Sequence, residues 1–464
     1  MVMDFRDQVG VLDEKGKMEK MYPKKVSGRL NRYRHFFAYF LLLLLVVTPF
    51  LRINGRPLML FNVLERKFIL FGQPFHPQDF YLFALGMLTF MVFVVLFTVI
   101  YGRVFCGWAC PQTIFLEFVF RKIEYWIEGD ANQQKALDQS GWTTEKILKK
   151  GTKHTLFFLL SFAISNLFLA YLIGTDRLWQ LIVETPLNHL GTFLALLAFT
   201  GVFYFVFAKF RELACIVVCP YGRLQGVLLD EKSVVVAYDF VRGEPRGKLK
   251  KGEPRTLGDC IDCKLCVQVC PTGIDIRNGT QLECINCTAC IDACDNVMEK
   301  IQKPKGLIRY DSIRGIKTNV PLKFTTRMAA YSFVLVVLLS VLTSLLVLRK
   351  EVEVTILRLP GSLAQQLDSV TVANLYNIEL VNKTFDPIDI TLTSEEGTIK
   401  LIGYPDNQLR LKEGEVLKST FFIQIPKDRL TTPHRKVTVR VFANQKPIDE
   451  IETSFLGIYR NNSR

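Results

Sequence analysis

The sequence predicts a membrane protein in three parts: a five-helix transmembrane bundle, a cytoplasmic insert rich in cysteine, and an all-β C-terminal domain. Three observations carry that prediction. Of the 464 residues, 49% are hydrophobic and 36 are Phe, and they gather in runs suited to crossing a bilayer rather than filling one large core. All 12 Cys lie between Cys106 and Cys294, so cysteine serves metal or redox chemistry here and not the stapling of the whole chain. Residues 351–464 alternate apolar and polar side chains with period two, which is the grammar of strands. The formal charge of +14 is positional. Basic residues flank the apolar runs on alternate sides, a membrane pattern that argues against nucleic acid as a partner.

Taken in order, residues 1–35 are polar and basic, without the succession of charge, short apolar core and small residues that marks a cleavable signal. Phe36–Leu51 is the first expected span, short and with Pro49 near its far end. Residues 52–79 mix Gly, Pro and apolar residues and read as an outer loop lying partly on the membrane. Phe80–Tyr101 is the second span. After GRVFCGWACPQ, the stretch Thr113–Ile127 alternates apolar and charged residues at helical spacing and reads as an amphipathic helix in the interface. Ala131–Lys153 is an expected polar loop, Thr155–Ile173 the third span, Gly191–Phe207 the fourth and Ala329–Leu348 the fifth.

Five spans put the two ends on opposite sides. Residues 1–35 hold nine Lys/Arg and residues 102–155 hold eight, against four in 52–79 and one in 174–189. The positive-inside rule then makes the N-terminus and the cysteine-rich insert cytoplasmic, and the C-terminal domain periplasmic, in a bacterial inner membrane. That domain contains seven alternating segments, EVEVTILRL, NLYNIELVN, IDITLTS, LRLKEG, STFFIQIP, KVTVRVFA and DEIETSFL, punctuated by Asn382, Gly397, Pro405, Gly414 and Pro433. Short strands at this spacing predict an immunoglobulin-like sandwich. The expected boundaries are 1–35, 36–208, 209–327, 328–349 and 350–464.

The insert carries C-x2-C-x2-C-x3-C twice: Cys260, Cys263, Cys266 and Cys270, then Cys284, Cys287, Cys290 and Cys294. Three thiolates at this spacing wrap one face of an iron–sulfur cube, and the fourth ligates the other cluster of the pair. The expectation is two 4Fe-4S clusters in a ferredoxin-like (polyferredoxin) fold. One would be held by Cys260, Cys263, Cys266 and Cys294, the other by Cys284, Cys287, Cys290 and Cys270. Zinc prefers two separated ligand pairs, and disulfides need an oxidising compartment. Pro271 follows the first run, whereas Asp295 follows the second.

Two further pairs, Cys106/Cys110 in CGWACP and Cys215/Cys219 in CIVVCP, share the spacing C-x3-C-P. Each follows an outside-to-inside span. On a helix, residues four apart share a face, so both sulfurs of a pair can serve one site. Tyr101-Gly102-Arg103 before the first pair is echoed by Tyr221-Gly222-Arg223 after the second. Such soft donors suit copper(I), zinc or another iron–sulfur centre; the plain alternative is buried free cysteine. The five histidines, His35, His76, His154, His189 and His434, avoid mid-span positions, which argues against a membrane haem. No G-x-G-x-x-G or P-loop offers a nucleotide a seat.

Together, CGWACP at 106–111, CIVVCP at 215–220, the runs at 260–271 and 284–294 and the C-terminal sandwich resemble the CcoG/FixG (RdxA) family of cytochrome c oxidase accessory proteins. The resemblance covers nearly the whole chain. It implies reduction of copper(II) to copper(I) for assembly of the cbb-type oxidase, with Cys106, Cys110, Cys215 and Cys219 at the reactive site. It also implies copper, an oxidase assembly factor or copper chaperone, the bilayer and a cytoplasmic electron donor as partners. Two other functions compete with that one. The first is an electron-transfer subunit linking the quinone pool or a cytoplasmic donor to a respiratory reductase. The second is a redox-sensing assembly scaffold.

Overall fold

The computed structural model describes residues 20–457 apart from 54, 64–66, 76–78, 249–256, 320–325, 360–363, 369, 385, 405–406 and 431. The chain forms two compact units: Met1–Leu51 with Ala84–Val341, and Arg52–Phe83 with Leu342–Arg464. Among the described residues, five helices are long and apolar enough to cross a membrane: Arg29–Phe50, Phe80–Tyr101, Thr144–Ile173, Leu190–Phe210 and Met328–Val347. Large apolar side chains stand outward along them, Phe36 at 76% exposure and Phe333 at 69% among them. Such surface is stable in contact with lipid tails and not with water.

The third helix differs from its expected form. Ala131–Lys153 is not a loop: it holds Ala131–Gln139, capped by Asp130 in a reciprocal box with Gln133, and then the polar start of the unbroken Thr144–Ile173. The chain at 111–127 also differs. It is one continuous helical path with a wide π-helical turn at Phe115–Phe120. Much of it is enclosed, with Phe115, Leu116, Phe118 and Phe120 buried and the charged Arg121 and Glu124 buried as well, while Lys122 and Trp126 stay exposed. The charged side is sheltered because it meets charge. Arg121 pairs with Glu117 at 2.7 Å and with Glu212, and Arg211 grips Glu124 through two hydrogen bonds of 2.7 and 3.0 Å. Lys153 reaches Glu128 at 2.9 Å and Lys150 reaches both Glu128 and Asp138.

The ferredoxin-like insert is docked onto the first membrane helix by a cap from far away in sequence. Gly28 precedes Arg29–Val47 and supplies no capping side chain. Asp292, 262 residues on, accepts from the amides of Leu30 and Asn31 at 3.2 and 2.7 Å. A carboxylate on those unpartnered amides also complements the helix dipole. A Cβ at Gly28 would lie 2.2 Å from the Asp292 carboxyl carbon, so the close approach requires glycine.

In the second unit, the strands form two antiparallel sheets. One runs in the order Thr398–Leu401, Val416–Pro426, Thr371–Asn382, Val352–Arg358, with Gln365–Gln366 added on Thr371–Asn382. The other runs Gln408–Leu411, Ile388–Ser394, His434–Ala443, Lys446–Leu456. Their inner faces share one core that includes Tyr376, Ile390, Phe421, Val439 and Phe455, which is the construction of a β-sandwich. TIKL at Thr398–Leu401 is a strand that the seven expected segments omit. The outer segment is also more ordered than a loop. Met59–Asn62, Lys67–Leu70 and Gln73–Phe75 form a small three-stranded sheet. Beside it, Asp79 is 1% exposed and is paired with Lys383 at 2.6 Å and with Arg349 at 2.5 Å.

Candidate metal centre

The two cysteine runs have the same backbone. In the first, Asp262 and Lys264 adopt left-handed φ values of 51° and 55°; in the second, Asn286 and Thr288 stand at 53° and 63°. Such values are uncommon outside glycine, and here they flank the middle cysteine of each run. They curl the chain so that the first three sulfurs of a run face one void. A helix follows each curl, Leu265–Gln268 and Ala289–Lys300.

One void is lined by Cys260, Cys263, Cys266 and Cys294, with Leu265, Met298 and Leu307 around them. The other is lined by Cys270, Cys284, Cys287 and Cys290, with Ile274, Ile276 and Ile285, and Cys266 borders it as well. The fourth cysteine of each run thus faces the void of the other run. Among the described residues, no three His, Cys, Asp or Glu side chains are gathered closely enough to hold a single metal ion. The sulfurs ring voids instead, which suits a cube of several atoms and not a lone zinc.

Two further observations fit an iron–sulfur group. The Asn286 side-chain amide is buried, and its Nδ2 has no acceptor, while its Oδ1 lies 3.5 Å from the Cys284 sulfur. A cluster sulfur would supply the missing acceptor. Burial also pushes the thiols of Cys266, Cys284 and Cys294 up to about 12 and that of Cys287 to about 11, where the Arg34 guanidinium pulls the other way. Thiolates in this setting need cationic partners, which cluster iron provides. Asp295, in the place of the second proline, accepts from the Gly306 amide at 2.8 Å and so fastens the loop behind the helix.

The C-x3-C-P pairs share one geometry, and it is not the one that helical spacing predicts. In each, the amide of the second cysteine reaches back five residues, Cys110 to the Phe105 carbonyl at 3.0 Å and Cys219 to the Ala214 carbonyl at 2.9 Å. The second cysteine is then extended, with ψ of 125° and 110°, and caps a helix that starts on Pro111 or Pro220. The following proline excludes a helical conformation at the residue before it. The two elements also meet. Arg103, buried, donates to the Gly222 carbonyl at 2.8 Å and to Gln225 Oε1 at 3.0 Å, and Gln225 Oε1 accepts from the Cys106 thiol at 3.0 Å. The Tyr221 hydroxyl lies 3.2 Å from that of Thr98.

All four sulfurs share one neighbourhood. Burial pushes Cys106 up to about 11, with Arg103 opposing and Cys110 and Cys219 adding to the rise. Burial raises Cys215 to about 12, with Cys110, Cys106 and Cys219 adding to it. The quartet meets the lining of the second void through Cys106 and Gly107. Cys106 packs in the same apolar cluster as Cys287, Ile285 and Ala289. A Cβ at Gly107 would lie 2.4 Å from the Ile285 carbonyl oxygen and 3.0 Å from Cys287 Cα. Arg34 clamps the same turn through two bonds to the Gly107 carbonyl, at 3.2 and 3.0 Å. The Trp108 indole donates to the Tyr310 hydroxyl at 3.2 Å, and that hydroxyl donates to the Asn286 carbonyl at 3.0 Å.

Arg34, Arg103, Gly107, Gln225 and Asn286 are therefore site residues that the sequence reading passed over. Three of them left a trace: Arg103 in the Tyr-Gly-Arg echo, Gly107 inside CGWACP, and Arg34 among the basic residues before the first span.

Comparison with known proteins agrees with this division. Residues 210–313 match a family described as a 4Fe-4S dicluster domain, and residues 83–129 match one described as a 4Fe-4S binding domain. Residues 342–458 match one described as an IG-like fold at the C-terminal of FixG. Protein RdxB of Cereibacter sphaeroides is 35% identical over 88% of this chain and 89% of its own length. Protein RdxA of the same organism is 35% identical over 78% of this chain and 79% of its own. Nitrogen fixation protein FixG of Rhizobium meliloti is 36% identical over 66% of this chain and 60% of its own. The crystal structure of a FixG-related protein from Vibrio parahaemolyticus is 21% identical, covering 23% of this chain and 97% of its own, with a TM-score of 0.19.

Proposed function

Because this chain belongs to the FixG/RdxA family, an iron–sulfur electron-transfer family with 4Fe-4S domains, we propose that its substrate is copper(II). Copper(I) is the product, delivered to assembly of the cbb-type oxidase. The observation that carries this reading is that Cys106, Cys110, Cys215 and Cys219 gather in one neighbourhood and that Cys106 packs in one apolar cluster with Cys287. Cys260, Cys263, Cys266 and Cys294 would hold one cluster, and Cys270, Cys284, Cys287 and Cys290 the other. When bound, these clusters supply electrons singly, and one electron converts copper(II) to copper(I). The chain does the rest. Soft sulfur donors favour the cuprous ion over hard-ligand alternatives. Arg103 and Gln225 hold Cys106 in place, and Gly107 keeps the quartet in contact with the second void.

Changing Cys215 and Cys219 together to Ser removes soft donors and spares the eight cysteines of the insert. Iron should stay at about eight atoms per chain, as two cubes require, while copper(II) reduction falls about ten-fold or more. Cys263→Ser should do the converse, costing iron and reduction but leaving some copper binding. Metal analysis and a cuprous-chelator assay on anaerobically purified protein read both.

A second reading is favoured by one observation. The 4Fe-4S binding family covers residues 83–129, which include Cys106 and Cys110 but none of the insert. If the Cys215/Cys219 variant loses iron and keeps its copper, these cysteines ligate iron. The chain is then an electron-transfer subunit for a respiratory reductase.

The Lys/Arg asymmetry supports a cytoplasmic N-terminus and insert with a periplasmic sandwich. A reporter fused after Leu348 should behave as periplasmic, and cytoplasmic behaviour there would mean that a span, the first above all, is miscounted.

A further inference from the structure

A cavity of about 480 Å³ opens between the segment before the first membrane helix, the helical path at 111–127 and the loops around Cys270 and Cys290. Its wall carries four cations, Lys24, Lys25, Arg34 and Lys122, and one acid, Glu117. Glu117 is already engaged by Arg121 at 2.7 Å. Among the described residues, none of the four cations forms an ion pair. The lysines just beyond the cavity behave differently: Lys20, Lys150 and Lys153 each have a carboxylate partner.

Arg34 is the most telling of the four. It is 5% exposed, donates among the described residues to the Gly107 carbonyl alone and lies 5.1 Å over the Phe118 ring. A buried guanidinium without an anion is costly. Part of its charge serves the sulfur of Cys287, on which Arg34 is the strongest charged influence.

The cavity's position selects its occupant. Arg34 and His35 stand on the first membrane helix, followed by the outward Phe36 and Phe40. Trp126, 79% exposed, lines the cavity beside Tyr125, and Lys25 lies 5.1 Å over the Tyr125 ring. Cations beside an aromatic pair at a helix end, one ring exposed and the other partly buried, are the features of a headgroup site at a bilayer interface. We propose that this cavity binds the phosphate of an anionic phospholipid, with Arg34 and the three lysines as its counter-charges. The acyl chains then run along Phe36 and Phe40. The proposal rests on reading the apolar helices as spans and is independent of the copper reaction.

The test uses the full-length protein in detergent, stripped of lipid and then exposed to vesicles of phosphatidylcholine with or without phosphatidylglycerol. Native mass spectrometry counts retained lipid, and iron content reports an intact fold. Phosphatidylglycerol should be retained over phosphatidylcholine. In Lys24→Gln/Lys25→Gln/Lys122→Gln its retention should fall about ten-fold with iron unchanged, whereas the same three lysines changed to Arg should keep it. Equal retention of both lipids overturns the proposal, as does undiminished retention in the glutamine variant. Inorganic phosphate that binds the wild type and displaces the lipid without any headgroup preference assigns the cavity to a soluble phosphate compound and overturns the lipid assignment.

Discussion

Replacing Gly107 by alanine should cost the protein about half its iron and, on the proposed copper reaction, most of its copper(II) reduction. The added carbon meets backbone, the Ile285 carbonyl oxygen at 2.4 Å and Cys287 Cα and N at 3.0 Å, and backbone cannot swing aside as a side chain can. Relief requires the loop of Cys284 to Cys290 and the turn of Cys106 to part. Overpacking of this kind costs about 1–3 kcal/mol in an ordinary core. Here it also spreads the sulfurs around the second void. The first void shares no atom with the clash, so about four of eight irons should remain. Gly141→Ala, where a Cβ meets nothing, is the control. Unchanged iron and unchanged copper reduction in Gly107→Ala would refute the contact.

The second large effect is expected at Arg211. Arg211→Met removes the two bonds to Glu124 and leaves that buried carboxylate with Lys153 at 3.8 Å. Breaking a buried pair from one side costs about 3–5 kcal/mol. The loss should depend on pH with a definite sign. Burial pushes the Glu124 carboxyl up, but Arg211 overrides it and holds the group at about 2, below its ordinary 4.5. A depressed carboxyl stabilises the fold above its ordinary value, and that contribution fades as pH falls from 4.5 towards 2. In Arg211→Met, acid instead relieves the stranded carboxylate. The thermal stability gap between the two proteins should therefore be widest near neutrality and shrink on acidification. A gap of constant size would show that the pair is not its source. Arg211 also carries a left-handed φ of 48° between the wide turns Val206–Phe210 and Ala214–Val218. With its side chain freed, that bend can relax, so aim at Cys215 should suffer more than iron content.

The parts of the molecule that were legible in the sequence are those written within a few residues. The cysteine runs, the apolar helices and the period-two strands each state their geometry locally. The extended second cysteine of each C-x3-C-P pair was also legible, since the rule for a residue before proline applies; helical spacing was the wrong rule to use there. The helical path at 111–127 shows why the rest was hidden. A charged face at helical spacing has the same pattern whether it meets water or partners, and here the partner of Glu124 lies 87 residues away. Likewise Asp292 caps a helix 262 residues before it, and Arg34 clamps a carbonyl 73 residues on. Nothing local to either residue announces such a contact.

The segment before the second apolar helix sets a timetable for biosynthesis. Asp79 ends buried against Arg349 and Lys383, which follow it by 270 and 304 residues. At bacterial elongation rates of about 5–20 residues per second, these partners leave the ribosome roughly 15–60 seconds after Asp79 does. For that interval the Asp79 carboxylate lacks these two cations. A nascent chain stalled after its fourth apolar helix would leave that carboxylate without them, and one released at its natural end would pair it. Burial of this acid is thus complete only once the strands of the C-terminal sandwich have been made.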